Sequence, residues 1–223
     1  MTGAHNIAAQ NFHNNSLISV SLQNQFLIKE LMNKELGTQW MYKGSAFHFN
    51  LNHFGYFRYG EMKLSAGYSK RFADKITFGL QFHYLLNHTQ NYSSKNSFTF
   101  DLSFQTVISK KTGFGLMVYN PAKLKYGISG EQMIPIRFIY NYYYKISNNI
   151  LLFSELEKKI PGAYNACFGM TYHFSQISIS SSLSLTNFSF LISTEWKSFL
   201  FGIRTDCYYK TGISPTLNLY YFL

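Results

Sequence analysis

Nowhere in the 223 residues does an apolar run approach the ~18 residues that a membrane-crossing helix needs. Charge is scarce as well: Asp, Glu, Lys and Arg make up 13% of the chain, about half the share of an ordinary soluble domain. A chain with so little charge cannot solvate a large outer surface, which argues against a water-soluble sandwich. Cysteine is limited to Cys167 and Cys207. They fall on opposite faces of their predicted strands, so free thiols are expected in place of a disulfide. Proline occurs four times, at 121, 135, 161 and 215. Pro121 and Pro161 fall in predicted loops and Pro135 and Pro215 near predicted strand ends, where a missing N–H donor matters least.

What the chain does have is aromatic and apolar residues, 19% and 46% of the total, dispersed so evenly among Ser, Asn, Thr, Gln and Gly that mean hydropathy is −0.11. Their spacing has period two. Over 75–87, Ile76, Phe78, Leu80, Phe82 and Tyr84 share one face, and Lys75, Thr77, Gly79, Gln81 and His83 the other. Over 97–108, Phe98, Phe100, Leu102 and Phe104 oppose Ser97, Thr99, Asp101, Ser103 and Gln105. One face is suited to hydrocarbon and the other to water.

The same alternation recurs at 17–25, 35–42, 45–54, 61–71, 113–119, 133–146, 149–157, 163–174, 175–185, 187–195, 198–209 and 212–222, fourteen segments in all. Most reach the ~9–11 residues with which a tilted strand crosses a bilayer. Tight links such as Lys43-Gly44, Phe72-Ala73-Asp74, Lys110-Lys111-Thr112, Ser147-Asn148 and Trp196-Lys197 alternate with longer ones at 26–34, 55–60, 88–95, 120–132 and 158–162. Short turns at one rim and longer loops at the other are the asymmetry of an outer-membrane barrel, with the short turns periplasmic. The expected architecture is therefore all-β: a closed antiparallel transmembrane β-barrel of about fourteen strands over 17–223, in the bacterial outer membrane. A polar N-terminal segment, 1–16, with Asn6, Asn11, His13, Asn14 and Asn15, is suited to entering the lumen. The opening Met1-Thr2-Gly3-Ala4 has no basic or apolar leader character, so we expect that a signal was removed or replaced by a start Met.

The net charge of +10 and the interleaved aromatics raise nucleic acid as a ligand. The aromatics recur on one face of every strand, too many for a binding patch, and the lysines gather in turns, where they meet anionic lipid headgroups. Lipid, and not nucleic acid, is the expected partner.

Chemistry-bearing residues fall on the inward face: Asp101, Arg137, Glu155, Glu157, Glu195, Arg204 and Asp206, with Lys63, Lys75 and Lys145. Glu155 and Glu157 could support acid/base work, but pairing with Arg137 and Lys145 in a lumen network is the stronger expectation. Glu195 is expected to join Arg204 and Asp206. Asp101 and His83 come nearly opposite across a hairpin, with no Ser or Cys predicted beside them to complete a triad. His48, His83 and His173 lie on separate strands without metal-ligand spacing, and Gly113-Phe114-Gly115 lacks the third glycine and helix of a dinucleotide loop. No catalytic residue, metal or cofactor is predicted, and the chain is not expected to be an enzyme. The apolar group Phe26, Leu27, Ile28, Leu31 and Met32 suggests a short amphipathic helical turn at the loop rim, either facing lipid or docking a partner.

Several short motifs carry a resemblance along nearly the whole chain. They are Gln25-Phe26-Leu27-Ile28-Lys29-Glu30-Leu31, His53-Phe54-Gly55-Tyr56, Tyr59-Gly60-Glu61-Met62-Lys63, Gly67-Tyr68-Ser69-Lys70-Arg71-Phe72, Val118-Tyr119-Asn120-Pro121 and Glu155-Leu156-Glu157-Lys158. In this order they resemble the FadL-like outer-membrane barrels of Bacteroidota that include the PorV/PorQ group linked to type IX secretion. The resemblance implies a fourteen-stranded barrel, an N-terminal segment inside it, and envelope-protein partners in a secretion or assembly machine. Two functions follow as expectations: a non-catalytic anchor subunit of such a machine, or a FadL-like channel for small apolar or amphipathic solutes.

Overall fold

A computed structural model describes residues 6–11, 15–73, 75–92, 94–126 and 132–223. His13 and Asn14 of the N-terminal segment lie outside the described residues, as do Met1 to His5. The first described element is a four-residue helix α1, Ile7–Gln10, followed by β1 Leu17–Asn24, β2 Met32–Tyr42, β3 Ser45–Gly55, β4 Tyr59–Phe72, β5 Ile76–Thr89, β6 Lys95–Val107 and β7 Thr112–Tyr119. A small ladder, β8 Lys125–Tyr126 with β9 Gln132–Met133, stands in the loop that follows. The second half contributes β10 Ile136–Lys145, β11 Ile150–Ile160, β12 Tyr164–Phe174, β13 Ile177–Ser184, β14 Asn187–Trp196, β15 Phe199–Tyr208 and β16 Gly212–Phe222. All strands except β8 and β9 join one closed antiparallel barrel of fourteen, each beside its neighbour in sequence.

Closure is made by β1 on β16, from Leu17 opposite Phe222 to Gln23 opposite Thr216. Without that seam two strand edges would face lipid, where each unpaired N–H or C=O costs several kcal/mol. An even strand number brings the start of β1 and the end of β16 to one rim. At that rim also lie the link from Phe72 to Ile76 and the tight turns at 43–44, 108–111, 146–149, 175–176 and 197–198. Lys43, Ala73, Ser175 and Lys197 adopt positive φ there, the left-handed geometry that lets so few residues reverse a strand.

Directly opposed residues share a face, so the register divides the barrel cleanly. A ring of outward residues runs Phe78, Phe104, Leu116, Tyr140. An inward ring runs Gln81, Asp101, Tyr119, Arg137, Lys159. Outward rings touch across strands, as in Phe78 with Phe104 at 5.2 Å between centroids and Phe114 with Tyr140 at 4.7 Å. These contacts add to the transfer of the rings into hydrocarbon. Both cysteines are free: Cys167 opposes inward Glu155, whereas Cys207 opposes outward Phe188.

Two local expectations need correction. Strand β2 begins at Met32 and not at 35, so Met32 belongs to the wall and not to the rim segment. The predicted helical turn is a pair of 3-10 turns, Gln25–Leu27 and Lys29–Leu31, because Phe26 and Leu27 both take positive φ and break any continuous helix. Phe26 turns onto Tyr208 at 5.5 Å, and its N–H donates to Ser214 Oγ at 3.0 Å. Leu27 and Ile28 remain exposed.

The facing makes a measurable difference. Arg at outward Phe100, near mid-wall, should destabilise the barrel in bilayers by ~2–4 kcal/mol, while Arg at inward Ser193 should cost far less. Equal losses in urea-unfolding titrations of the two variants would reject the facing.

Candidate functional site

The lumen has two unlike sides. Helix α1 packs on the inner wall of β4, β5 and β6, with Asn6, Ile7, Ala8 and Asn11 buried. A helix of four residues has little intrinsic stability, so its position comes from its contacts. Asn6 caps it, accepting from Ala8 N and Ala9 N at 3.0 and 3.2 Å. Ile7 seats where the wall has no side chains: a Cβ on Gly79 would lie 2.7 Å from Ile7 Cγ1, and one on Gly67 3.1 Å from Ile7 Cδ1. Asn11 donates to Ser69 O at 3.1 Å and Ser69 Oγ at 3.0 Å, His48 Nε2 bonds the same hydroxyl at 3.0 Å, and Arg71 donates to the Asn11 carbonyl.

Toward the loop rim from α1, His83 Nε2 meets Asp101 Oδ2 at 2.8 Å and His83 Nδ1 meets Ser65 Oγ at 2.8 Å. The expectation that no serine stands beside His83 and Asp101 is therefore wrong: the β4–β5 register sets Ser65 opposite His83, a pairing between strands that intrastrand alternation does not display. The three form a Ser–His–Asp chain, but each is at most 3% exposed. Adjacent backbone N–H groups are engaged in the ladder, leaving no paired donors for an oxyanion. The geometry fits a wall-stiffening polar network better than a nucleophile.

Above this network the loop after β7 is tied into the barrel mouth by Asn120, fully buried at positive φ. Its Oδ1 accepts from Thr99 Oγ1 and Leu124 N, both at 2.9 Å, and its Nδ2 donates to Leu124 O at 3.1 Å and Ile134 O at 2.8 Å. Sequence reasoning did not assign Asn120 a role. The available signal was Asn before Pro at a strand end, a pair that starts turns.

The opposite side, β12 to β16, carries small polar groups inward: Thr171, Ser178, Ser180, Ser182, Ser184, Ser189 and Ser193. Arg204 Nε donates to Asp206 Oδ1 at 2.9 Å, and Ser189 also donates to that oxygen. Asp206 is 3% exposed, whereas the Arg204 side chain, on the same lumen face, is about half exposed. Arg137 pairs with Glu157 at 2.5 Å, with Lys159 at 4.0 Å from the same carboxylate, and Glu155 faces Asn141 and Cys167.

Two predicted groupings are not formed. Glu195 opposes Leu200, four residues along β15 from Arg204 and so about 13 Å away. Lys145 opposes Leu151, a similar distance from Glu155 and further from Glu157. In each case the residues share a face but not a height. Among the described residues, no group of three His, Cys, Asp or Glu is placed to hold a metal.

No family model matches the chain, and no curated protein matches it in sequence. Solved structures do share its fold. The toluene transporter TodX of P. putida aligns over 98% of this chain and 93% of its own, with 8% identity and a TM-score of 0.77. A Pseudomonas aeruginosa FadL homologue aligns over 98% and 93%, with 7% identity and a TM-score of 0.69. The KdgM porin aligns over 92% and 98%, with 12% identity and a TM-score of 0.55. The fold is thus that of outer-membrane channels and porins, and it fits a bacterial outer membrane.

Because Asp206 is buried beside a single guanidinium, removing Arg204 alone strands a carboxylate. Arg204→Ala should lower the urea midpoint more than Arg204→Ala combined with Asp206→Ala. A double variant as unstable as the single, or more so, would show that the two side chains are not coupled.

Proposed function

We propose that the barrel is an outer-membrane channel for small amphipathic solutes, conducted along the β12 to β16 side of the lumen. The observation that carries this reading is the row of inward serines and threonines opposite α1. A fourteen-stranded barrel is wider than one of eight, whose interior side chains just fill. Hydroxyl-sized side chains on one side leave the added width unfilled, while α1 occupies the other. Leu191, Phe153 and Tyr220 interrupt the hydroxyl surface, so the wall offers both hydrogen bonds and apolar contact. That mixture suits an amphipathic solute better than a pure hydrocarbon, which would leave the wall's polar groups desolvated. Shared fold with a toluene transporter and with the CymD monoaromatic hydrocarbon channel supports transport over anchoring.

The second reading is an anchor of a secretion or assembly machine, with kinship to the PorV/PorQ group and envelope-protein partners. Its support is the exposed Leu27 and Ile28 at the loop rim, an apolar pair that a partner would cover. A stable contact would need to bury at least ~1,000 Å², which two residues do not supply alone.

Proteoliposome swelling in small zwitterionic aromatic solutes separates the two. The channel should swell vesicles, Ser182→Trp with Ser193→Trp should slow swelling several-fold, and deleting residues 1–11 should speed it. Absence of swelling from both the full chain and the deletion, with envelope proteins co-purifying in mild detergent, would replace the channel by the anchor.

A further inference from the structure

The outward face of the barrel strands is almost free of fixed charge. Among the described residues its charged side chains are Lys34, Lys70 and Lys158, as read from the strand registers. Lys34 and Lys158 stand near strand ends at the loop rim. Lys70 is different: it lies on β4 in the tight-turn half, between outward Tyr68 and Phe72 and opposite Phe78. Three residues of a tilted strand set it roughly 8 Å inside the level of Ala73. A lysine there must run its stem over apolar surface to bring its ammonium to the headgroups.

Lys70 also borders a depression in the lipid-facing wall. Its rim and walls include Tyr68, Phe72, Phe78, Leu102, Phe104 and Leu116, and its volume is about 560 Å³, open on the side that faces lipid. Phe72 and Phe78 meet edge to face at 6.0 Å, and Phe78 and Phe104 are tilted at 5.2 Å. Tyr68 Oη is held by Ser45 Oγ at 2.9 Å. The walls are therefore braced by one another. The Lys70 ammonium stands 5.8 Å from the Phe72 ring, at the edge of the depression. Lys110 and Lys111 occupy the turn that joins β6 to β7, two of the strands that build it.

We propose that this depression is a binding site for one anionic glycerophospholipid of the periplasmic leaflet, its acyl chain between the aromatic walls and its phosphate on Lys70. Charge complementarity selects the occupant. An apolar groove alone would accept any acyl chain, but a cation at its headgroup end, with two more in the adjoining turn, favours a lipid of net negative charge. The site is on the opposite surface of the wall from the lumen, so it stands whether or not the lumen conducts.

Native mass spectrometry of the barrel in detergent tests this directly, with phosphatidylglycerol and phosphatidylcholine of identical chains as probes. One phosphatidylglycerol should be retained in preference to phosphatidylcholine. Lys70→Gln should weaken retention about five-fold, which corresponds to ~1 kcal/mol for one lysine at a membrane surface. Leu102→Trp, which fills the groove without altering charge, should weaken it too, while Lys197→Gln in a distant turn should not. Equal retention of the two lipids, loss from Lys197→Gln as large as from Lys70→Gln, or undiminished binding by Leu102→Trp would each overturn the site.

Discussion

Hydrocarbon offers no partner to a backbone N–H or C=O, and the rest of this structure follows from that constraint. A helix would answer it within one segment, but among the described residues no helix is long and apolar enough to cross. The alternative is a ladder without edges, made here by the seam of β1 on β16. Closure then fixes the facing of every side chain, because a one-residue slip at any strand pair would turn its aromatic row into the lumen and its polar row into lipid. The chain's low charge and frequent aromatics are consequences of that wall.

A closed wall encloses an interior that must also satisfy its polar groups. The two sides of the lumen do so differently. On the β4 to β6 side, α1 is fitted to missing side chains at Gly67 and Gly79 and tied by Asn11 to Ser69. Next to it, His83 is held between Ser65 and Asp101, so the buried carboxylate has a partner on a neighbouring strand. On the β12 to β16 side the groups are small, and the buried Asp206 is matched by Arg204 and Ser189. One side is covered by α1; the other presents small hydroxyl side chains, several of them only half-buried.

The outside of the wall is less uniform than its hydropathy suggests. Aromatic rings packed across β4 to β7 leave a depression whose edge carries the single charged side chain of the outward strand face in the tight-turn half, among the described residues. A membrane protein's solvent is itself a mixture of charged and apolar parts, and the placement of Lys70 matches that mixture at one point of the perimeter.

Period-two alternation, turn length and charge scarcity were enough by themselves to determine the strand number, the lipid-facing residues such as Phe78 and Phe100, the tight-turn rim and the class of fold. These are local properties: each strand repeats one binary pattern, and each turn is written in two to four residues. What only the tertiary structure decided is which inward residues meet. Facing is a matter of parity along one strand, but height depends on the register between strands and on the shear of the closed barrel. Thus Asp101 with His83 was legible across one hairpin, and Ser65 opposite His83 follows from the same counting across the neighbouring hairpin of β4 and β5. Arg137 with Glu157, on neighbouring strands, and Arg204 with Asp206, on one strand, were likewise recoverable. Glu195 and Lys145 share the lumen face with their expected partners yet stand about 13 Å or more along the strands from them. The seat of α1 also needed the fold, because the strands it meets, β4 to β6, lie far along the chain from it; the latch at Asn120 needed the packing of its loop against β6, where it meets Thr99.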